Sequence, residues 1–338
     1  MTTDNNLNAL RLISAWIVLY SHGHSLAGKP SPLFLSWIPL GPLGVFIFFI
    51  ISGYLVTESW QRDPHAFRFF KRRALRIFPG LAVCIGLTAF VLGPLLTTLP
   101  LLEYLSSSLT WRYLWNVALY ISYSLPGVFS LNTYPSAVNG SIWSLPLEFA
   151  MYFGVAVWGV LRGGKYAMLL FAVASALVTY FWANQTTRAT VFFASDLRQI
   201  FICGTYFWLG AVFYLWNCKK YITPSNLILA MLLMLAFSPW PQWLQVVAWV
   251  FLPLLVLGFG LSYSAPLAWV TKSGDYSYGV YIYAFPVQQT VSMYFPSQSV
   301  LWQVSISTFC VLLLAIPSWH LIESPALKLK PKSPVKLA

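Results

Sequence analysis

The sequence predicts an all-α polytopic membrane protein with about ten transmembrane helices. Of its 338 residues, 58% are hydrophobic and 8% are charged, whereas soluble domains carry roughly 25% charged residues. The apolar residues form runs long enough to cross a bilayer as helices, and short polar or basic segments separate these runs. Because no polar stretch is long enough for an ordinary soluble domain, we predict one membrane domain over residues 1–326 and a basic cytoplasmic tail over residues 327–338.

Ten apolar segments are the candidate spans. Proline or glycine stands at or near many of their ends, as is typical of turns and kinked helix ends in membranes. The chain starts without the basic residues of a signal peptide, so we expect the first segment to be retained as a span. The segments are 8–27, 41–60, 76–97, 141–161, 166–184, 196–217, 225–239, 243–262, 276–295 and 299–321.

The basic residues predict the orientation of the chain. If the N-terminus is cytoplasmic and ten segments span the bilayer, only four of the 20 Lys and Arg residues lie outside. Cytoplasmic loops carry an excess of Lys and Arg, so both termini are predicted to be cytoplasmic. The confinement of basic residues to loops also accounts for the net charge of +12 and argues against nucleic acid as a partner. The four outer residues are Lys29, Arg112, Arg188 and Arg198.

The stretch 111–125 does not fit the ten-span scheme. It is apolar and aromatic, but it is shorter than the roughly 20 residues of a spanning helix. We predict an extra short interfacial or re-entrant helix on the outer face, followed by a polar outer loop over 126–140. If this stretch spanned the bilayer, every later loop would change side.

The first span carries two ionisable residues, Arg11 and His22. They are eleven residues apart, which on an α-helix is roughly 16 Å along nearly one face. Ionisable side chains inside a span usually face a protein interior or a wet cavity and mark a functional site. The alternative is that Arg11 extends to the lipid headgroups and His22 only packs between helices. His24 points to another face of the helix, and we assign it no role.

Two further groups of residues suit substrate binding. Ser52 and Gly53 place a hydroxyl beside a position without a side chain, where a neighbouring helix can approach closely; ordinary small-residue packing is the alternative. Arg73 and Arg76 share one helical face, and paired guanidinium groups suit phosphate. We expect the basic stretch that contains them to be a loop leading into the third span, with attraction to anionic lipid as the alternative role.

The fourth span carries a carboxylate, Glu148, on one face with Ser144 and Tyr152. A carboxylate this deep in an apolar helix is costly unless it is paired, and the available cations are His22 and the arginines. Such a pair is either functional or serves only to hold the helix in position.

Three remaining features are expected to be structural. The tyrosine-rich run 276–283 is expected to form an interfacial belt, and His320 with Glu323 a surface pair at the inner boundary. The four cysteines have no close spacing, which favours small core residues over a disulfide or metal framework. We therefore expect no metal site. The cysteines are Cys84, Cys203, Cys218 and Cys310.

In their order, these segments resemble the membrane acyltransferases of the acyltransferase 3 family, which decorate bacterial surface polysaccharides. The resemblance runs from residue 10 to residue 326; each motif is weak alone, and their order and spacing make the match specific. Many members carry a histidine just before Phe-Pro in the ninth span, where this chain has Ala284. The matching elements are Leu10-Arg11 followed by His22, then 44–55, 73–79, Trp143-Ser144-Leu145 with Glu148 and Tyr152, 276–286 and 322–325.

The resemblance implies a ten-helix fold in the bacterial inner membrane, with acetyl-CoA as the acyl donor on the cytoplasmic side. The implied acceptor is a sugar hydroxyl of a cell-surface or lipid-linked glycan on the outer side. His22 becomes the catalytic histidine with Arg11 as its partner in the same helix, and Arg73 with Arg76 contact the donor phosphates. Glu148 would support the histidine, and Ser52 would line the path of the acyl group.

Two questions of mechanism and function stay open at this point. His22 can act as a general base during direct transfer, or it can carry the acyl group transiently as an acyl-histidine. Buried ionisable residues are also typical of ion-coupled carriers, so a transporter or flippase is the alternative function. The absence of a visible inverted repeat and the inner arginine pair argue against a carrier.

Overall fold

The computed structural model describes residues 5–135, 137–192, 194–272 and 274–331, and about 74% of the structure is helical. Within these residues the helices are α1 Leu7–Leu26, α2 Leu40–Arg62, α3 Ala66–Leu87, α4 Gly93–Leu96, α5 Leu101–Ser106, α6 Ser108–Tyr113, α7 Ser144–Val160, α8 Lys165–Val178, α9 Leu197–Leu215, α10 Pro224–Ala236, α11 Pro241–Leu261, α12 Ala265–Lys272, α13 Ser277–Tyr294, α14 Val300–Ser318 and α15 Ser324–Lys328.

The remaining regular structure is short. Two antiparallel hairpins pair β1 (Leu33–Phe34) with β2 (Ile38–Pro39) and β3 (Val191–Phe192) with β4 (Ser195–Asp196). Single 3-10 turns cover Leu114–Ala118 and Cys218–Tyr221. Three helices continue through wider π-helical turns at Thr88–Leu92, Thr179–Ala183 and Trp319–Glu323.

Each of the ten predicted segments contains a helix of the structure. Five helical stretches in the described part of the chain are long and apolar enough to cross a membrane, which supports a multi-pass membrane protein. The count of ten spans and the cytoplasmic position of both termini stay predictions. The five stretches are Leu40–Arg62, Ala66–Leu96, Lys165–Ala183, Pro241–Leu261 and Val300–Lys328.

The basic stretch expected as a loop is helical, because α3 begins at Ala66 and not near residue 76. Asp63, which is 2% exposed, accepts hydrogen bonds from Arg68 at 2.5 Å and from Arg72 at 2.6 Å. The hydrogen bond from Arg68, followed by that from Arg72, holds the pKa of Asp63 well below its usual range although burial opposes the shift. This buried cluster joins the end of α2 to the first turns of α3.

Helix α2 lies at the centre of the helix packing, and most of its residues are buried. It contacts α1, α7 and α9, and its crossing with α9 depends on two glycines. A Cβ atom at Gly53 would overlap the carbonyl of Phe207, and one at Gly210 would overlap the carbonyl of Ile50. The expectation that Gly53 permits close approach by a neighbouring helix is confirmed.

The tyrosine-rich run is not an interfacial belt, so that prediction is wrong. Tyr278, Tyr281 and Tyr283 are at most 7% exposed, since α13 packs between α1, α3 and α14. The hydroxyl of Tyr278 donates to the carbonyl of Ile77 at 2.8 Å. A hydrogen bond to a backbone carbonyl offsets the cost of burying a tyrosine hydroxyl, and the sequence pattern does not reveal such a partner.

The predicted surface pair of His320 and Glu323 is also wrong. Glu323 is 2% exposed and accepts a hydrogen bond from Ser318 at 3.0 Å. His320 is exposed and its Nε2 lies 3.1 Å from the hydroxyl of Tyr276. The π-helical turn that contains both residues separates them, because it directs Glu323 inward and His320 outward.

The stretch 111–125 is partly helical, as expected, but its helical part ends at Ala118. Among the described residues after it, the chain forms turns and irregular segments up to Trp143. Two asparagines fasten this loop to α13: Asn132 donates to the side chain of Gln289 at 2.8 Å, and Asn139 donates to the carbonyl of Ile282 at 2.9 Å. Whether the stretch lies at the membrane interface stays a prediction.

Candidate active site

A cavity of about 500 Å³ extends along α2, and we call it the arginine cavity. Val45, Ser52, Ser59 and Arg62 line one wall of it, and Val45 and Arg62 lie about 25 Å apart along the helix axis. The ends of the cavity differ in chemistry, because charged residues gather near Arg62 and apolar and hydroxyl groups near Val45. Its volume is in the range of small-molecule sites.

The charged end of the arginine cavity is strongly cationic. The described residues that line it include six cations and only two carboxylates, Glu148 and Asp275. Such a surplus of positive charge attracts an anionic ligand. The six cations are Arg11, Arg62, Arg72, Arg73, Arg76 and Lys330.

Asp275 joins two of the predicted site residues. Arg11 donates to its Oδ2 at 2.9 Å and Arg76 donates to the same atom at 2.6 Å, while Ser277 donates to Oδ1 at the start of α13. Burial alone would raise the pKa of Asp275, but the guanidinium groups of Arg76 and then Arg11 hold it well below its usual range. The ionised carboxylate therefore ties α1, α3 and α13 together at the charged end.

Arg73 has a different environment from Arg76. It makes no ion pair with a carboxylate in the described part of the chain, and its Nε is buried without a hydrogen-bond partner there. Its Nη2 lies 3.4 Å from the hydroxyl of Ser59, and its guanidinium carbon lies 5.8 Å from the ring centre of Tyr152. The donors of Arg73 are thus available to a ligand in the cavity.

Glu148 is paired with hydroxyl groups and not with the expected cation. Its Oε1 accepts hydrogen bonds from Ser52 at 2.7 Å and from Tyr152 at 2.5 Å. Among the described residues, Glu148 makes no hydrogen bond with His22, because His22 does not line this cavity. Helix α7 places Glu148 and Tyr152 one turn apart, which lets both meet Ser52 on α2.

A second cavity, of about 880 Å³, lies at the other end of α2, and we call it the histidine cavity. His22 lines it, and Nδ1 of His22 is buried without a hydrogen-bond partner among the described residues. The ring of Phe285 meets the imidazole edge-to-face at 5.2 Å between centres. His24 lines neither cavity, and its Nδ1 lies 3.1 Å from the carbonyl of Tyr20. The aromatic residues of this cavity are Tyr123, Tyr134, Trp143, Tyr281 and Phe285.

Val45 and Tyr281 line both cavities, so their side chains lie between them. The hydroxyl of Tyr281 donates to the carbonyl of Ser141 at 2.7 Å and accepts from Ser144 at 2.6 Å. These bonds hold the ring in one orientation. We call the layer formed by Val45 and Tyr281 the partition.

The structure brings together five of the six predicted site residues. Arg11 contacts Asp275 and not His22, which lies in the histidine cavity beyond the partition. Asp275 and Lys330 were not among the predicted site residues, and Tyr281 was expected in an interfacial belt. An acidic residue directly before an apolar helix was an available signal for Asp275, whereas no local signal marks the other two. The five residues are Arg11, Ser52, Arg73, Arg76 and Glu148.

Comparisons with known proteins identify the family. The family model described as "Acyltransferase domain" matches residues 4–320. An O-acetyl transferase of Shigella phage Sf6 is 31% identical to this chain, and the alignment covers 96% of both chains. Nodulation protein 10 of Rhizobium leguminosarum bv. viciae is 30% identical over 96% of this chain and 94% of its own length.

A more distant relative is about twice as long as the region that it shares with this chain. The peptidoglycan O-acetyltransferase OatA of Listeria monocytogenes is 23% identical over 87% of this chain, which corresponds to 52% of OatA. No solved structure matches. Because the family match and two relatives extend over nearly all of the chain, this protein belongs to the acyltransferase 3 family of membrane acyltransferases.

Proposed function

We propose that this protein transfers an acetyl group from acetyl-CoA to a sugar hydroxyl of a cell-surface or lipid-linked glycan, in the bacterial inner membrane. Relatives named as O-acetyltransferases support the transferred group and the type of reaction. The observation that carries the donor and mechanism is the pair of cavities that meet at the partition. One cavity suits an anionic donor, and the other contains the imidazole.

The donor enters the arginine cavity from the cytoplasmic side with its phosphates at the cationic end. Arg73 binds a phosphate, because its guanidinium group has no carboxylate partner in the described part of the chain. The pantetheine arm extends past Ser52, Glu148 and Tyr152, whose hydroxyl and carboxylate groups suit its amides. The thioester then lies beside Val45 and Tyr281.

The acceptor sugar occupies the histidine cavity, whose aromatic walls suit the apolar faces of a sugar ring. His22 takes the proton of the acceptor hydroxyl as the oxygen attacks the thioester carbonyl. The carbon–sulfur bond breaks, the thiolate of CoA leaves, and the proton passes from His22 to that thiolate. For the acceptor oxygen to reach the thioester carbonyl carbon, Val45 and Tyr281 must move apart, or the thioester must pass between them.

Radiolabel transfer tests this proposal. Purified protein in lipid nanodiscs is incubated with acetyl-labelled acetyl-CoA and a lipid-linked glycan, and labelled glycan is counted. We expect transfer by the wild type, a loss of at least roughly a hundredfold in His22→Ala, and near-normal transfer in His24→Ala. His24 is a matched control, since it lies on the same helix outside both cavities.

Two results would contradict the proposal. Transfer that survives in His22→Ala would remove the histidine from the mechanism, and transport of a glycan without any acyl product would favour a carrier. Label bound to the wild type in the absence of acceptor, and absent from His22→Ala, would select the acyl-histidine route over direct transfer.

A further inference from the structure

The C-terminal segment forms part of the arginine cavity. Trp319 lines the cavity near the end of the family match at residue 320, and Leu327 and Lys330 line it beyond that end. Helix α15 contacts α3, the helix that carries Arg72, Arg73 and Arg76. The buried Glu323, which accepts a hydrogen bond from Ser318, holds the turn that leads into α15. The segment is thus positioned by packing and is not a free tail up to Lys330.

Lys330 is a half-buried ammonium group among guanidinium groups. Burial, followed by repulsion from Arg73, Arg76, Arg11 and Arg72, lowers the pKa of Lys330 to about 8. No carboxylate of the described residues lies in ion-pair contact with it, whereas Asp63 pairs with Arg72 and Asp275 pairs with Arg11 and Arg76. Burial next to like charges without an acidic partner is unfavourable unless an anion is bound.

Of the six cations that line the arginine cavity, Arg73 and Lys330 have no ion pair with a carboxylate of the described residues, and they lie at different positions along it. Arg73 reaches Ser59 and the ring of Tyr152, which is hydrogen-bonded to the Glu148 carboxylate further inside. Lys330 follows the last turn of α15 and is partly exposed at the charged end. In acyl-CoA the diphosphate is joined to the pantetheine arm, and the 3′-phosphate of the ribose lies further from the thioester. The order of the cations matches the order of these phosphates.

We propose that Lys330 binds the 3′-phosphate of acyl-CoA and that the C-terminal segment completes the nucleotide-binding end of the donor site. The proposal rests on the proposed function, because it requires acyl-CoA as the donor. Lys330 would then be a donor-binding residue outside the region that the family model matches. Its contact would let the protein distinguish acyl-CoA from acyl donors that lack the 3′-phosphate.

Donor kinetics test the proposal. The KM is measured for acetyl-CoA and for 3′-dephospho-acetyl-CoA with the full-length wild type, Lys330→Gln, Lys330→Arg and Lys328→Gln. We expect Lys330→Gln to raise the KM for acetyl-CoA roughly tenfold, as expected for loss of one charge-assisted contact, with little change in kcat. The KM for the dephospho donor should be high in the wild type and unchanged by Lys330→Gln. Lys330→Arg should restore most of the affinity for acetyl-CoA.

Lys328 is the matched control, since it is a basic residue in the same segment that is exposed and does not line the cavity. Equal effects of Lys328→Gln and Lys330→Gln would indicate a diffuse electrostatic effect and overturn the proposal. So would equal KM values of the wild type for the two donors. If the wild type uses acetyl-CoA but Lys330→Gln behaves like the wild type, only this inference fails. If the wild type transfers from neither donor, the proposed function fails and this inference with it.

Discussion

Arg73 and Arg76 lie one turn apart on α3, but their guanidinium groups meet different partners. Arg76 donates to Asp275, which also accepts from Arg11, so Arg76 has a carboxylate partner within the protein. Arg73 contacts only hydroxyl and aromatic groups among the described residues. The pair that looks equivalent in sequence therefore divides into a residue that positions α13 and a residue that is available to a phosphate.

The first prediction concerns this difference. In Arg73→Lys the planar, forked guanidinium is replaced by a single ammonium group, so we expect the KM for acetyl-CoA to rise roughly tenfold. Because Arg73 has no buried carboxylate partner among the described residues, we expect the melting temperature in detergent to change little. Steady-state kinetics and a melting curve of the same preparation provide both measurements. A large loss of thermal stability at an unchanged KM would show that Arg73 has a structural role.

Helices α2 and α9 approach each other closely at Gly53 and Gly210, where each glycine faces a backbone carbonyl of the other helix. Ser52 and Val45 stand on the same helix as Gly53, so this crossing fixes the wall along which the donor is proposed to lie. A carbonyl cannot turn aside as a flexible side chain can, because the helix hydrogen bonds hold it. The crossing is therefore intolerant of any added side-chain atom.

Gly53→Ala is expected to lower the free energy of unfolding by roughly 1–3 kcal/mol, because the new Cβ overlaps the carbonyl of Phe207. Gly86→Ala is the control, since a Cβ at Gly86 meets nothing within 4 Å. That change should be neutral or stabilise by up to roughly 1 kcal/mol, because alanine favours the helix. Thermal or denaturant unfolding in detergent compares the two variants. Equal stability of both would contradict the close crossing.

At the scale of the whole molecule, two cavities lie near opposite ends of α2 and meet at the partition. Residues from α1, α2, α3, α7 and α13 surround them, together with the irregular segment up to Trp143 and the C-terminal segment from Trp319 to Lys330. Val45 and Tyr281 line both cavities, and the hydroxyl of Tyr281 is hydrogen-bonded to Ser141 and Ser144. The arrangement fits the proposed reaction, in which the donor occupies one cavity and the acceptor occupies the other.

Enlarging the side chain at Val45 should impair transfer more than donor binding. We expect acetyl transfer to fall progressively from wild type to Val45→Ile to Val45→Phe, by roughly tenfold to a hundredfold in the last, because small misplacements of reacting groups are costly. Binding of labelled acetyl-CoA, which depends on the charged end of the cavity, should change little and also reports correct folding. Full transfer in Val45→Phe with normal donor binding would rule out passage at the partition.

Much of the fold could be predicted from the chain itself. The helices lie where apolar runs of about 20 residues require them, since backbone groups in lipid must be hydrogen-bonded within the segment. The grouping of Ser52, Arg73, Arg76 and Glu148 in one cavity also matches expectation, because polar side chains in apolar helices turn toward a common interior. Two expectations were wrong. The basic stretch is helical from Ala66, because buried Asp63 pairs with Arg68 and Arg72 of α3. The tyrosine-rich run is buried because of partners far along the chain, such as the carbonyl of Ile77.

The sequence by itself determined the class of the protein, its helices, the residues worth attention and the family resemblance. The tertiary structure alone decided which charges are paired: Arg11 and Arg76 meet Asp275, and Glu148 meets Ser52 and Tyr152. Arg73 meets no carboxylate among the described residues. It also decided that His22 lies in a separate cavity, behind Val45 and Tyr281. The physical reason is that residue type and spacing predict local geometry, whereas the partner of a buried charge depends on how helices distant in sequence pack together.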